Sequence, residues 1–235
     1  MMNIIDQIKA VTDKYPSLSV TPNEDGYTLI GTITMSKTYN DVPLYDDYHL
    51  KIVVTSDFPE HIPSVFDIND DIPNDFNHFL TDGSFCLGVF CDLRSFLDTH
   101  PSLLCFIDEI VMSYLYSASY FRIYGTFPYG DRSHGAEGKL EAYRERYGTD
   151  NDRILAYLLF YLIEEIPYRG HSICPCGSGK KIRDCHGIQL IQDIRSPYRK
   201  YFQSDAYDVL DYLATQGERR LKRENGKRRS AESSF

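Results

Sequence analysis

Apolar positions along this chain change period several times, and each change marks a different kind of element. Ile4, Ile5, Ile8 and Val11 recur at helical spacing, and Pro16 ends the pattern, which predicts a first helix. Three strand-like runs follow, Leu18 to Thr21, Tyr27 to Ser36 and Tyr48 to Ser56. Asn23-Glu24-Asp25-Gly26 is a hairpin signal, and Asn40 to Asp47 reads as a polar loop. Short strands adjacent in sequence and joined by tight turns predict an antiparallel meander. From Asp57 to about His100 the chain is rich in Pro, Asp, Asn and Gly and has little periodicity. Such long irregular stretches are usually functional or disordered. This one retains many aromatic and aliphatic residues, which favours an ordered functional loop. Helical spacing returns at Leu103 to Tyr116, breaks over Tyr124 to Gly135, and resumes over Gly138 to Ile166. A final helix is expected over Asp205 to Leu213, with a polar, basic and frayed end from Glu218 to Phe235. No internal repeat is visible.

With 235 residues, the chain has room for one domain of ordinary size and a small appendage. The net charge of −9 argues against general polyanion binding, which needs a basic surface. Nucleic acid is therefore not an expected partner, the basic tail being the one segment suited to it. No apolar run reaches the ~18 residues of a membrane span. The N-terminal segment has charges inside its apolar stretch and lacks a signal peptide's basic start and cleavage site. A cytoplasmic location without membrane contact is expected. The six cysteines would then be reduced and available for metal binding or catalysis.

Three of them fall in Cys174-Pro-Cys-Gly-Ser-Gly-Lys-Lys-Ile-Arg-Asp-Cys185-His186-Gly187. Zinc favours four tetrahedral ligands drawn from thiolate and imidazole. Cys174 and Cys176 can grip a metal from a tight turn, and the glycine-rich loop can fold back to bring Cys185 and His186 to its other side. Lys180, Lys181 and Arg183 would offset the thiolate charge. The embedded Gly177-Ser178-Gly179-Lys180 is not a phosphate loop. Its glycines are too close together, and Lys181 stands where Ser or Thr is needed. The C-x-C-x8-C-H pattern resembles the SEC-C motif, found at the C-terminus of a bacterial translocation ATPase and appended to many bacterial proteins. That resemblance implies structural zinc and a docking surface rather than catalysis.

Cys86 lies in Asp82-Gly83-Ser84-Phe85-Cys86-Leu87, after a meander, a Phe58-Pro59…Pro63 exit and the irregular stretch. The order and the Gly-x-x-Cys-Leu sequence resemble the ubiquitin-conjugating (E2) family over about residues 1–120. The resemblance implies that Cys86 carries a ubiquitin-like protein or other protein C-terminus as a thioester, received from an activating (E1-like) enzyme and passed to an amine. The family's His-Pro-Asn triplet is missing. His78 in Phe76-Asn77-His78 occupies the asparagine's place, eight residues before Cys86. A histidine can donate to a developing oxyanion; it can equally serve only to tie the loop together. Cys91 could be a second thiol near the site or a packing residue, and Cys105 in an apolar helix is expected in the core. Tyr124 to Gly135, with Gly130-Asp131-Arg132-Ser133-His134-Gly135, could line a cleft or form a linker.

The expected fold is α+β: an E2-like core over 1–125 with an N-terminal helix, about four antiparallel strands and closing helices. A linker and helical extension over 126–169, a zinc knuckle over 170–190 and a helical, basic, partly disordered tail over 191–235 complete it. The arrangement resembles E2-like proteins of bacterial ubiquitin-like conjugation operons, some in antiphage systems that modify the C-terminus of a nucleotide cyclase. Two other classes stay open: a non-catalytic E2-variant scaffold, and a zinc adaptor whose SEC-C knuckle docks a chaperone or translocation partner.

Overall fold

A computed structural model describes residues 3–73, 75–129, 133 and 135–232, with side chains as far as Arg219. The fold is α+β. Its helices are α1 (Ile4–Lys14), α2 (Phe90–Thr99), α3 (Leu103–Cys105), α4 (Met112–Tyr124), α5 (Gly135–Tyr147), α6 (Asp152–Leu162), α7 (Gly187–Arg195) and α8 (Arg199–Glu232). Its strands are β1 (Ser19–Pro22), β2 (Gly26–Tyr39), β3 (Val42–Thr55) and β4 (Ser64–Asp67), hydrogen-bonded in the order β1-β2-β3-β4 with every pair antiparallel. No helix among the described residues is long and apolar enough to cross a membrane. The chain divides into two compact units. One comprises Met1–Gly88 with Asp92–Asp131, and the other Val89–Cys91 with Arg132–Phe235.

In the first unit, Asn3 caps α1 by accepting the Asp6 N–H at 2.9 Å, and Ile8 and Val11 face inward. The expected loop over Asn40 to Asp47 is mostly strand. Asn40 and Asp41 take left-handed φ values of 46° and 61° and close a two-residue hairpin. The polar residues after them fit a strand because they alternate. Tyr45 and Asp47 face out, while Tyr48, Leu50, Ile52 and Val54 continue the inward set.

Leu29, Ile33 and Met35 of β2 and Val65 of β4 complete the buried face of the sheet. Against it packs α4; α3 and a π-helical turn over Phe106–Val111 lead into α4 without interruption, α3 lies against α1, and Leu103, Phe106, Ile107 and Val111 join the same core. Full burial of each such aliphatic side chain contributes about 1.5–3 kcal/mol before chain entropy is counted. Cys105 is half-buried rather than in the core. The stretch from Asp57 to about His100, expected to be one irregular loop, contains β4 and α2, whose short runs are too brief to stand out among its Pro, Asp, Asn and Gly residues. From α2, buried Arg94 donates to the Pro59 carbonyl at 2.5 Å and to Asp98 at 2.8 Å.

The second unit has its own core. Leu140, Ala142 and Tyr143 of α5, Leu155, Leu158 and Leu159 of α6, Leu190 of α7, and Phe202, Ala206 and Val209 of α8 are buried together, with Cys91. Asn151 caps α6 by accepting from Arg153 and Ile154 N–H groups. Asp193, 1% exposed, receives Arg146 Nε at 2.8 Å and Nη2 at 2.5 Å and the Tyr147 hydroxyl at 2.9 Å. The backbone of α8 runs well beyond the expected Asp205 to Leu213 helix and through much of the segment expected to fray. Its Lys, Arg and Glu residues are good helix formers, so charge alone does not end it. The side chains of the basic tail from Arg220, and Gly130, Asp131, Arg132 and His134, lie outside the described residues. Ser133 donates to the Glu141 carboxylate at 2.9 Å.

Candidate functional site

The four expected metal ligands come together. One donor atom from each of Cys174, Cys176, Cys185 and His186 lies within 4.8 Å of all the others. The local chain geometry explains how. Ile173 and Lys181 form an antiparallel bridge, and the Cys174 N–H donates to the Lys180 carbonyl at 2.8 Å. Between them the chain reverses through Gly177 and Gly179, at φ values of 77° and 72° that favour glycine. A 3₁₀ turn over Ile182–Asp184 then delivers Cys185, and His186 stands at the N-cap of α7. Gly187 is required by close approach: a Cβ there would lie 2.5 Å from the Ile182 carbonyl oxygen and 2.7 Å from the Tyr168 hydroxyl.

The dimensions fit a tetrahedral ion. Bond lengths of ~2.3 Å to sulfur and ~2.0 Å to nitrogen imply tetrahedral edges of ~3.8 Å between sulfurs and ~3.5 Å between sulfur and nitrogen. The observed separations are 3.6 Å for the Cys176 and Cys185 sulfurs, and 3.3 Å from His186 Nδ1 to both Cys174 and Cys185 sulfurs. Burial pushes the Cys174 thiol up to about 11. Cys176 lies at the open lip, where hydrogen bonds from the Ser178 hydroxyl and backbone N–H bring its thiol down to about 6. Lys180, Lys181 and Arg183 are exposed around the knuckle. Cys174 and Ile182 also belong to the core of the helical unit, so the knuckle shares its apolar support with α5 to α8. This cluster can hold a metal ion.

Cys86 lies elsewhere, on the loop that follows β4. The loop is ordered by its own hydrogen bonds. The Leu80 N–H donates to Ser84 O at 2.7 Å, Gly83 N–H to Leu80 O at 3.0 Å, and the Asp82 carboxylate accepts from both Ser84 N–H and Oγ. Gly83 takes φ 82°, which the reversal needs. Phe79 and Phe85 form an antiparallel bridge, and the Phe85 N–H donates to Val65 O of β4 at 2.8 Å. The Cys86 N–H donates to the His78 carbonyl at 2.8 Å.

The thiol of Cys86 is half-buried, and burial raises its pKa while a hydrogen bond from the Gly88 backbone opposes the rise. It is therefore largely protonated at neutral pH. The ring of His78 packs against Phe76 at 4.9 Å and Phe127 at 4.8 Å between centroids. His78 thus meets Cys86 through its backbone carbonyl, and its ring sits in an aromatic setting. Cys91 is fully buried and packs in the second unit.

Two contributors had no signal in the sequence. Ser178 borders the metal cluster, its hydroxyl 3.1 Å from the Cys176 sulfur, and lies inside the glycine-rich loop. Tyr114 donates its hydroxyl to the His78 carbonyl at 2.7 Å from α4, far along the chain. Comparison with known protein families, with curated proteins and with solved structures finds no match to this chain.

Proposed function

We propose that this protein is an E2-like conjugating enzyme in which Cys86 carries a ubiquitin-like protein or a protein C-terminus as a thioester, and in which a structural zinc ion braces the C-terminal unit. The observation that carries the reading is the placement of Cys86. It is a half-exposed thiol at the end of a rigid Gly-x-x-Cys loop that is hydrogen-bonded to an antiparallel sheet. Such a thiol is open to a reactant on one side, and the loop's hydrogen bonds hold it in place.

In the loading step the Cys86 sulfur, losing its proton, attacks the carbonyl carbon of a thioester on an activating (E1-like) enzyme. A new carbon–sulfur bond forms, the old one breaks, and the departing sulfur takes up a proton. In the discharge step an acceptor amine attacks the same carbon. The carbon–nitrogen bond forms, the amine gives up a proton, and Cys86 regains its thiol. Exchange between two thiols is nearly balanced, so the raised pKa of Cys86 does not forbid it. His78 supports the site through the carbonyl that holds the Cys86 N–H. Its imidazole as an oxyanion donor is a further element of this proposal.

Cys174, Cys176, Cys185 and His186 would hold the zinc, which would cross-link the two ends of the glycine-rich loop. A place in antiphage defence, with a nucleotide cyclase as the modified protein, extends the proposal.

The raised thiol pKa favours a second reading, a scaffold that binds a partner while its cysteine is idle. One experiment separates them. The protein is incubated with an activating (E1-like) enzyme, ATP and a candidate ubiquitin-like protein or nucleotide cyclase. Wild type should form a thiol-sensitive adduct, Cys86→Lys a stable amide, and Cys86→Ala none, with folding and zinc content unchanged. An adduct that persists in Cys86→Ala, or biological activity that survives that change in full, overturns the carrier reading in favour of the scaffold.

A further inference from the structure

We propose that Tyr114 is a positioning residue for Cys86, its hydroxyl latching the same His78 carbonyl that receives the Cys86 N–H. The proposal rests on the carrier reading of Cys86 for its consequence in transfer, and on geometry alone for the latch. The Tyr114 hydroxyl reaches the His78 oxygen at 2.7 Å and the Cys86 N–H reaches it at 2.8 Å. One carbonyl oxygen has two lone pairs, and here the two donors occupy both.

The ring of Tyr114 does a second job. It stacks on Phe85, the residue before Cys86, at 4.3 Å between centroids and 16° between planes, and meets Phe76 edge-on at 5.4 Å. Phe85 is thus held by its backbone to β4 and by its ring to α4. Helix α4 is itself packed on β2 and β3, so the latch ties the thiol loop to a helix seated on the sheet. Burial, with the charge of an ionised Cys86 beside it as a smaller contribution, keeps the Tyr114 phenol protonated far above neutral pH. It is therefore a donor at every pH in which the protein would work.

A nucleophile in acyl transfer must sit close to a near-attack geometry, and a displacement of about 1 Å can cost a large factor in rate. Tyr114→Phe keeps both ring contacts and removes only the latch. Loss of one ordinary hydrogen bond should raise the open population of the loop about five-fold.

The test is alkylation of the purified full-length protein by iodoacetamide at several pH values, with rates for each cysteine resolved by peptide mass spectrometry. Cys105, half-buried in the same unit and outside the loop, is the internal control. In Tyr114→Phe the Cys86 rate should rise about five-fold with Cys105 unchanged, while protein transfer by Cys86 should fall. Opposite signs for a small probe and a protein tail are what a latch produces and general loosening does not. An unchanged Cys86 rate, or a parallel rise at Cys86 and Cys105, overturns the latch. The alkylation measurement needs no conjugation activity. Failure of the carrier reading would appear separately, as transfer that survives Cys86→Ala.

Discussion

Metal binding by the cysteine cluster should be coupled to proton release, and the structure sets how strongly. A metal takes thiolates and neutral imidazole, so every ligand protonated beforehand must lose its proton on binding. Cys174 is 2% exposed, and its thiol stands at about 11. Cys176 is at the lip with its thiol near 6. At about pH 7 Cys176 is the more ionised of the two, whereas Cys174 holds its proton until the metal displaces it. Affinity therefore falls as pH falls, because the apo protein binds protons that the metal form does not. The slope should be at least one proton per metal around neutral pH, or about ten-fold in affinity per pH unit, equivalent to ~1.4 kcal/mol. Below about pH 6 Cys176 adds a further proton to those released by the other ligands, and the slope should steepen.

The assay is competition for zinc against a chromophoric chelator between about pH 6 and pH 8, with the chelator's own protonation taken into account at each point. Elemental analysis should give about one zinc per chain, and Cys176→Ser should lose it. An affinity independent of pH, or a Cys176→Ser protein that binds zinc as tightly as wild type, would refute the assignment of these thiolates as ligands.

Arg146→Ala should destabilise the second unit by about 3–5 kcal/mol, because it leaves the Asp193 carboxylate buried without its bidentate partner. A shift of less than about 1 kcal/mol in urea unfolding followed by circular dichroism would show that the pair is not buried as described. Gly187→Ala should cost about 1–3 kcal/mol by overpacking, since the new methyl group meets the Ile182 carbonyl at 2.5 Å. It should also weaken zinc retention through the adjacent His186; wild-type metal content and unfolding midpoint together would contradict the close approach.

What could be read from the sequence was local. Ile4 to Val11 repeats within one helix, the runs in β1, β2 and β3 each lie within one strand, and Cys174 to His186 spans a single loop, whereas β4 is too short to read within the stretch expected to be irregular. Each pattern is set by neighbours a few residues away, so periodicity and ligand spacing report it directly. The extent of β2 and β3 could not be read in this way. Polar residues such as Asp46 and Asp47 satisfy a strand as well as a loop once a partner strand is paired beside them, and that partner is chosen by the turn at Asn40 and Asp41.

The sequence offered Cys86 and His78 as candidates by motif. Only the tertiary structure joined them through a carbonyl, placed the His78 ring between Phe76 and Phe127, and brought Tyr114 to the same oxygen from α4. It also assigned Cys91 to the second core, left Cys105 half-exposed, and gave the metal knuckle a shared apolar support in Cys174 and Ile182. These are contacts between residues distant in sequence. They depend on how helices and strands pack, which the spacing of residues along one element does not encode.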